Sequence, residues 1–209
     1  MKIIFIPFLL TFLLTNQLEA QTIETKWLHS ISTGSGTFLN NSSKFLSNSD
    51  AYISLGIPIV LLAKGYIFDD ETSAEKGWYV VSSLAVSSAF MMALKYSINR
   101  PRPYKTYPDY IFPKGSEGSP SFPSGHTSMA FSVATSLSIS YPKWYVIAPS
   151  MLWATSVGYS RMNIGVHYPT DVAAGAVLGA GSAWLTYKAN QWLHSPIERV
   201  TKRSMEWLH

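Results

Sequence analysis

Two histidines, an aspartate and three cations recur in this chain in three short clusters, each at one end of an apolar segment. The first cluster is Lys95-Tyr-Ser-Ile-Asn-Arg-Pro-Arg102-Pro103. Pro101 pushes Arg100 out of helical geometry, so a helix is expected to end near Asn99. Lys95 then projects from the last turn and Arg102 from the extended chain beyond it, two cations that together fit an anion. Taken alone, the pair is better read as a basic flank against lipid headgroups. The second cluster is Pro123-Ser124-Gly125-His126-Thr127, where Ser124 suits a helix N-cap and Gly125 lets a ligand approach the backbone. Exposed N–H groups at a helix start make an anion cradle. His126 sits in it, able to give or take a proton near neutral pH. A Ser-Gly turn opening a helix is common, and by itself this one is ambiguous. The third cluster is Ser160-Arg161, five residues, then His167-Tyr-Pro-Thr-Asp171. Asp171, in the first turn of a helix opened by Pro169, can hold one nitrogen of His167 and leave the other free to attack. A His/Asp pair that merely caps the helix is an equal reading in isolation.

The elements between the clusters raise the joint odds. From the first cluster the chain enters a loop to the second, then crosses out and back through two segments of similar length to the third. An even number of crossings brings all three to one face. Gathered there, cations and N–H groups would hold the equatorial oxygens of a phosphoryl group, one histidine would attack phosphorus and the other would protonate the leaving oxygen. No metal need be invoked, since the cluster has one evident carboxylate and a surplus of positive charge.

Composition fits a membrane setting. Of 209 residues, 47% are apolar, 14% aromatic and only 13% charged, against roughly 25% charged in soluble domains. Disorder is excluded by the aromatic content. The absence of cysteine removes disulfides, thiolate nucleophiles and Cys-ligated metals. A net charge of +4, with no basic run longer than two residues, gives no nucleic-acid groove.

Residues 1–20 read as an export signal, with Lys2, the apolar stretch Ile3 to Leu14, and a cleavage site at Leu18-Glu19-Ala20. An uncleaved anchor is the alternative. Residues 21–50 are polar and are expected to form one or two short interfacial helices. Weakly charged segments follow at 51–68, 78–98, 126–141, 144–160 and 170–188, four of them holding uncharged runs of 16 or 17 residues. A soluble all-α core could own such helices, because they sit at the lower edge of spanning length. Ser82, Ala85, Ser88 and Ala89, and the pair Gly175-x-x-x-Gly179, would let helices approach closely in a bundle. The loop over 99–123 carries six prolines and, at 25 residues, is long enough to be functional. The expected organisation is a signal peptide, the polar segment 21–50, an all-α bundle of about five transmembrane helices over 51–188, and a basic amphipathic tail over 189–209.

The three clusters together resemble the signature of the type 2 phosphatidic-acid phosphatase superfamily, which also contains bacterial non-specific acid phosphatases and vanadium haloperoxidases. That pattern is K-x6-R-P, P-S-G-H and S-R-x5-H-x3-D, and Lys95, Arg102-Pro103, Pro123 to His126, Ser160-Arg161, His167 and Asp171 match every position over 95–171. The resemblance implies a metal-independent helical enzyme without a cofactor. His167 would be the nucleophile forming a phosphohistidine, Asp171 its orienting partner and His126 the general acid. Lys95, Arg102, Ser124, Gly125 and Arg161 would bind the phosphoryl oxygens.

The leading expectation is therefore a membrane lipid phosphatase in the bacterial inner membrane, its site facing the periplasm or exterior. Counting crossings from an outer N-terminus supports this, and the tail with Lys188, Arg199, Lys202 and Arg203 then lies inside. Candidate substrates are undecaprenyl diphosphate, phosphatidylglycerol phosphate, phosphatidic acid and the phosphates of lipid A. Specificity is expected in the loop over 104–122, with Tyr104, Lys105, Tyr107, Tyr110, Phe112 and Lys114. The closest rival is a soluble periplasmic acid phosphatase, which a mean hydropathy of only +0.10 favours. A haloperoxidase and a headgroup-binding module with a dead site are further alternatives.

Overall fold

The structure, a computed structural model, describes the backbone of residues 23–206 and side chains through residue 192; the export signal expected over 1–20 lies outside the described residues. Among the described residues every regular element is a helix: α1 over 23–33, α2 Thr37–Ile67, α3 Glu71–Ile98, the single turn α4 Pro103–Thr106, α5 Gly125–Ser140, α6 Trp144–Asn163 and α7 Pro169–Glu206.

The breaks have local causes. Asp69 takes a left-handed φ of 51°, and the Asp70 side chain caps α3 by accepting from the Ser73 N–H at 3.1 Å. Asn99 closes α3 in the left-handed region, with φ 48°. Pro101 keeps the chain extended up to α4, and Gly165, at φ 76°, makes the turn between α6 and α7.

α2 differs from the expectation drawn from its polar first half. Residues 37–50 are not a separate interfacial helix; they are the opening turns of one 31-residue helix. Ser43, Ser47, Asp50 and Ser54 are spaced by three and four residues, so they form a single stripe, and that stripe is buried. At the other end, residues 189–206 continue α7 without a break.

α5 packs against α3, α6 and α7. Its Ala130, Val133 and Ala134 meet Ala154 and Val157 of α6 and Val80 and Leu84 of α3. α7 comes closer still: a Cβ on Gly175 would sit 2.6 Å from the Ser124 carbonyl oxygen, and one on Gly179 would sit 2.1 Å from that of Ser128. The close approach expected at Gly175 and Gly179 is present, whereas Ser82, Ala85 and Ala89 of α3 lie exposed and Ser83, Leu84 and Ser87 face the bundle instead. Between these helices the interior is largely hydroxyl-bearing, with Ser87 Oγ 2.6 Å from Ser128 Oγ and Tyr79 donating to the Ala183 carbonyl at 2.8 Å.

One end of the bundle collects the first residues of α2, α5 and α7 and the last residues of α3 and α6. α1 covers that end, its Leu28 buried against Ile111 and Tyr168. Among the described residues two stretches, Thr37–Ile67 and Glu71–Thr106, are long and apolar enough to cross a membrane.

Candidate active site

Lys95 leaves the last turn of α3 and is 7% exposed, its Nζ donating to the Pro120 carbonyl at 2.6 Å. Arg102, 2% exposed, donates through Nε to the Ser119 carbonyl at 2.8 Å and through Nη1 to the Val166 carbonyl at 3.0 Å. The same Nη1 lies 3.2 Å from Nε2 of His167. Because a guanidinium has only N–H donors, Nε2 must be the acceptor there, which leaves the proton on Nδ1. Nδ1 faces Asp171 Oδ2 at 3.4 Å. The histidine is thus held as the tautomer whose lone pair points toward the cations.

Asp171 is fixed on both oxygens. Oδ1 accepts from Arg100 Nη1 at 2.7 Å, and Oδ2 accepts from the Ser121 hydroxyl and from the Tyr168 N–H at 2.9 Å. Its own carbonyl accepts the Ser124 N–H at 3.0 Å, tying the start of α7 to the start of α5. Burial first, then the nearby guanidiniums, push the His167 imidazole down to about 3, although Asp171 pulls the other way. His167 is therefore neutral at ordinary pH.

Lys95, Arg102, Gly125, His126 and His167 line one cavity of about 240 Å³. The first N–H groups of α5 have no partner within the helix, and the peptide dipoles add positive potential there. Two expected residues are less directly presented. Ser124 occupies the N-cap position, but its hydroxyl pairs with Thr127 Oγ1 at 2.8 Å rather than capping a backbone N–H. Arg161, from the last turn of α6, reaches the cavity wall through Glu117, whose carboxylate accepts from its Nη2, while its Nη1 donates to Ser47.

Three groups at the site were not singled out in the sequence. Arg100 bridges Asp171 to Glu24 of α1, at 2.7 and 2.8 Å. Glu117 lines the cavity and contacts Arg102, which lines it too, and Arg161 behind it. Asp50 of α2 also lines it, with Oδ1 accepting from Ser54 at 3.2 Å and Oδ2 buried without a partner. A signal existed for Glu117, the only acidic residue between Tyr110 and Thr170. Asp50 offered none, since it sits in a stretch that reads as solvated.

A profile of the PAP2 superfamily matches residues 76–195. An undecaprenyl-diphosphatase of Sulfolobus acidocaldarius is 31% identical over 165 residues, 78% of this chain and 75% of that protein. Among solved structures, Aquifex aeolicus LpxE superposes with a TM-score of 0.66 at 29% identity, covering 78% of this chain and 93% of that one. A transmembrane PAP2-type phosphatidylglycerolphosphate phosphatase from Bacillus subtilis gives 0.70 at 24% identity, over 88% of this chain and 94% of that one, which shows the shared fold.

Proposed function

The chain belongs to the PAP2 superfamily, and on that footing we propose that it is a lipid phosphatase hydrolysing a phosphomonoester or diphosphate of a membrane lipid at the outer face of the membrane. The observation that carries this reading is the His167 tautomer, with Nε2 bare of a proton, turned toward Arg102 and lining a cavity shared with Lys95 and His126.

In the proposed reaction, Nε2 attacks phosphorus and the bond to the leaving oxygen breaks. Burial and the nearby Arg161 hold the His126 imidazole down to about 4; the arriving phosphoryl anion offsets them, and His126 then gives that oxygen a proton. Asp171 accepts from Nδ1–H and steadies the positive charge that grows on the ring. Lys95, Arg102, Arg161 and the first N–H groups of α5, from Gly125 onward, face the charge on the equatorial oxygens. Water then attacks the phosphohistidine, His126 takes its proton, the P–N bond breaks and the neutral imidazole returns.

The membrane reading draws support from the outside of the bundle. Leu55, Ile59, Val60, Phe90, Leu152 and Val177 are exposed, while Ser54, Ser83, Ser87, Ser132 and Ser136 are buried. A soluble phosphatase would reverse that pattern. The undecaprenyl-diphosphatase similarity favours an isoprenoid diphosphate as the substrate class, with the phosphates of lipid A as the second class to test.

The deciding experiment is phosphate release from both substrates by the purified full-length chain. His167→Ala is expected to lower turnover by roughly three orders of magnitude or more, as loss of a covalent nucleophile does. Turnover left within tenfold of the original would refute the mechanism.

A further inference from the structure

Glu117 stands where an anion would be expected to bind. Its Oε1 accepts from Arg161 Nη2, and its Oε2 lies 3.7 Å from Arg102 Nη2. The side chain is 27% exposed, so it enters from the rim of the cavity that holds Lys95, His126 and His167. A carboxylate offers two oxygens on one carbon, much as a phosphoryl group offers two of its three. Arg102 and Arg161 make it a charge-assisted partner, and together they hold the Glu117 carboxyl below its usual range although burial opposes this.

The side chain has somewhere else to go. Tyr104 pins the backbone of Glu117, its hydroxyl donating to the Glu117 carbonyl at 3.0 Å and accepting the Glu117 N–H at 3.3 Å. Gly115 and Gly118 flank it, and a Cβ on Gly118 would meet nothing within 4 Å. On the far side of the Glu117–Arg161 pair lies a second cavity of about 260 Å³, lined by Lys44 and Lys114. Lys114 already donates to Ser32, Asn40 and Asn163, so a carboxylate that leaves the two arginines can turn toward Lys44.

We propose that Glu117 is a built-in competitor that reserves the pocket for terminal, doubly charged phosphoryl groups and turns away the singly charged phosphodiesters of the surrounding bilayer. The inference rests on the phosphatase reading above and narrows its substrate class. Any incoming anion has to replace the Glu117 carboxylate. A phosphodiester carries one charge, so it trades one ion pair for another and gains little. A terminal phosphate carries about −1.5 to −2 near pH 7. Its second charge meets Lys95, Arg102 and Arg161 in a partly dry cavity, where each charge counts for more than in water. A phosphatase bathed in diester headgroups needs such discrimination, because those headgroups far outnumber its substrate.

The test is calorimetric titration of the detergent-solubilised full-length protein with inorganic phosphate and with dimethyl phosphate. Glu117→Gln is expected to bind inorganic phosphate about tenfold more tightly, a step of roughly 1.4 kcal/mol. The same variant should acquire measurable affinity for dimethyl phosphate. Glu117→Asp, which keeps the charge, should behave as the original protein does. Phosphate binding that is unchanged or weaker in a folded Glu117→Gln variant would overturn the proposal. So would an original protein that binds dimethyl phosphate as tightly as inorganic phosphate. If Glu117→Gln does not fold, a crystal of the unaltered protein soaked in orthovanadate decides. Glu117 turned toward Lys44 supports the proposal, and Glu117 still on both arginines beside the bound oxyanion overturns it. Binding is read here without turnover, so failure to release phosphate from any lipid would sink the enzyme reading and leave this result standing.

Discussion

At the scale of single residues, the burial of His167 beside two guanidiniums has a consequence for acid stability. The folded protein holds His167 neutral down to about 3, whereas an unfolded chain protonates it near 6.5. Between those values the unfolded state binds the extra proton, so stability falls as pH drops through that window. His167→Asn removes the titration. Its melting temperature in detergent should therefore decline less than that of the original protein between pH 6.5 and 5, and identical slopes would contradict the buried neutral imidazole. The window stops above the range where Glu117, whose carboxyl is lowered, begins to lose its ion pairs. The residues legible from sequence were those whose chemistry demands a fixed type at a fixed spacing, such as Lys95, Arg102, His126 and His167. Arg100 was visible only as the residue bent by Pro101, because its partners Glu24 and Asp171 lie 76 and 71 positions away. Asp50 was hidden for the same reason: its neighbours at the site come from other helices.

At the scale of elements, the seam between α5 and α7 sets the spacing of the site. The Ser124 N–H and the Asp171 carbonyl meet at its top, and Gly175 and Gly179 run down it. Gly179→Val would drive side-chain atoms into the Ser128 carbonyl and the Ser132 N–H. The expected cost is about 1–3 kcal/mol or more, the range for an overpacked interior. Gly181→Ala, where a Cβ meets nothing within 4 Å inside a helix, should cost nothing and can gain up to about 1 kcal/mol. Thermal melts of the two variants check this directly, and equal melting temperatures would place the seam elsewhere. Helix ends were readable wherever proline or a small polar residue dictated them, at Asn99, Ser124 and Pro169. The start of α2 was not. Serine and asparagine repeated every three or four residues spell a helix face as readily as a loop, and only packing decides which way that face turns.

At the scale of the whole molecule, apolar side chains line the outside and hydroxyls the inside. The proposed lipid phosphatase should therefore stay with the membrane fraction after osmotic shock and a high-salt wash, and leave it only with detergent. Recovery in the shock fluid would favour the soluble alternative. The helical class followed from the uncharged runs. The number of crossings did not, because the same inward-facing serines that fill the interior also lower the hydropathy of the helices that carry them. Among the described residues only α2 and the stretch Glu71–Thr106 join the length of a span to its apolarity. α5 turns Ser128, Ser132 and Ser136 inward and is only 16 residues long, and α7 turns Ser182 inward.

That inward polarity also bears on assembly. A lone α5 in hydrocarbon would carry its row of serines into a solvent that cannot satisfy them, and a lone α7 would leave its glycine groove unfilled. Each becomes comfortable only once its neighbour has arrived. In the proposed membrane setting these helices would enter as companions rather than one by one, and the order of arrival would matter to the finished protein as much as the affinity of any single segment for lipid.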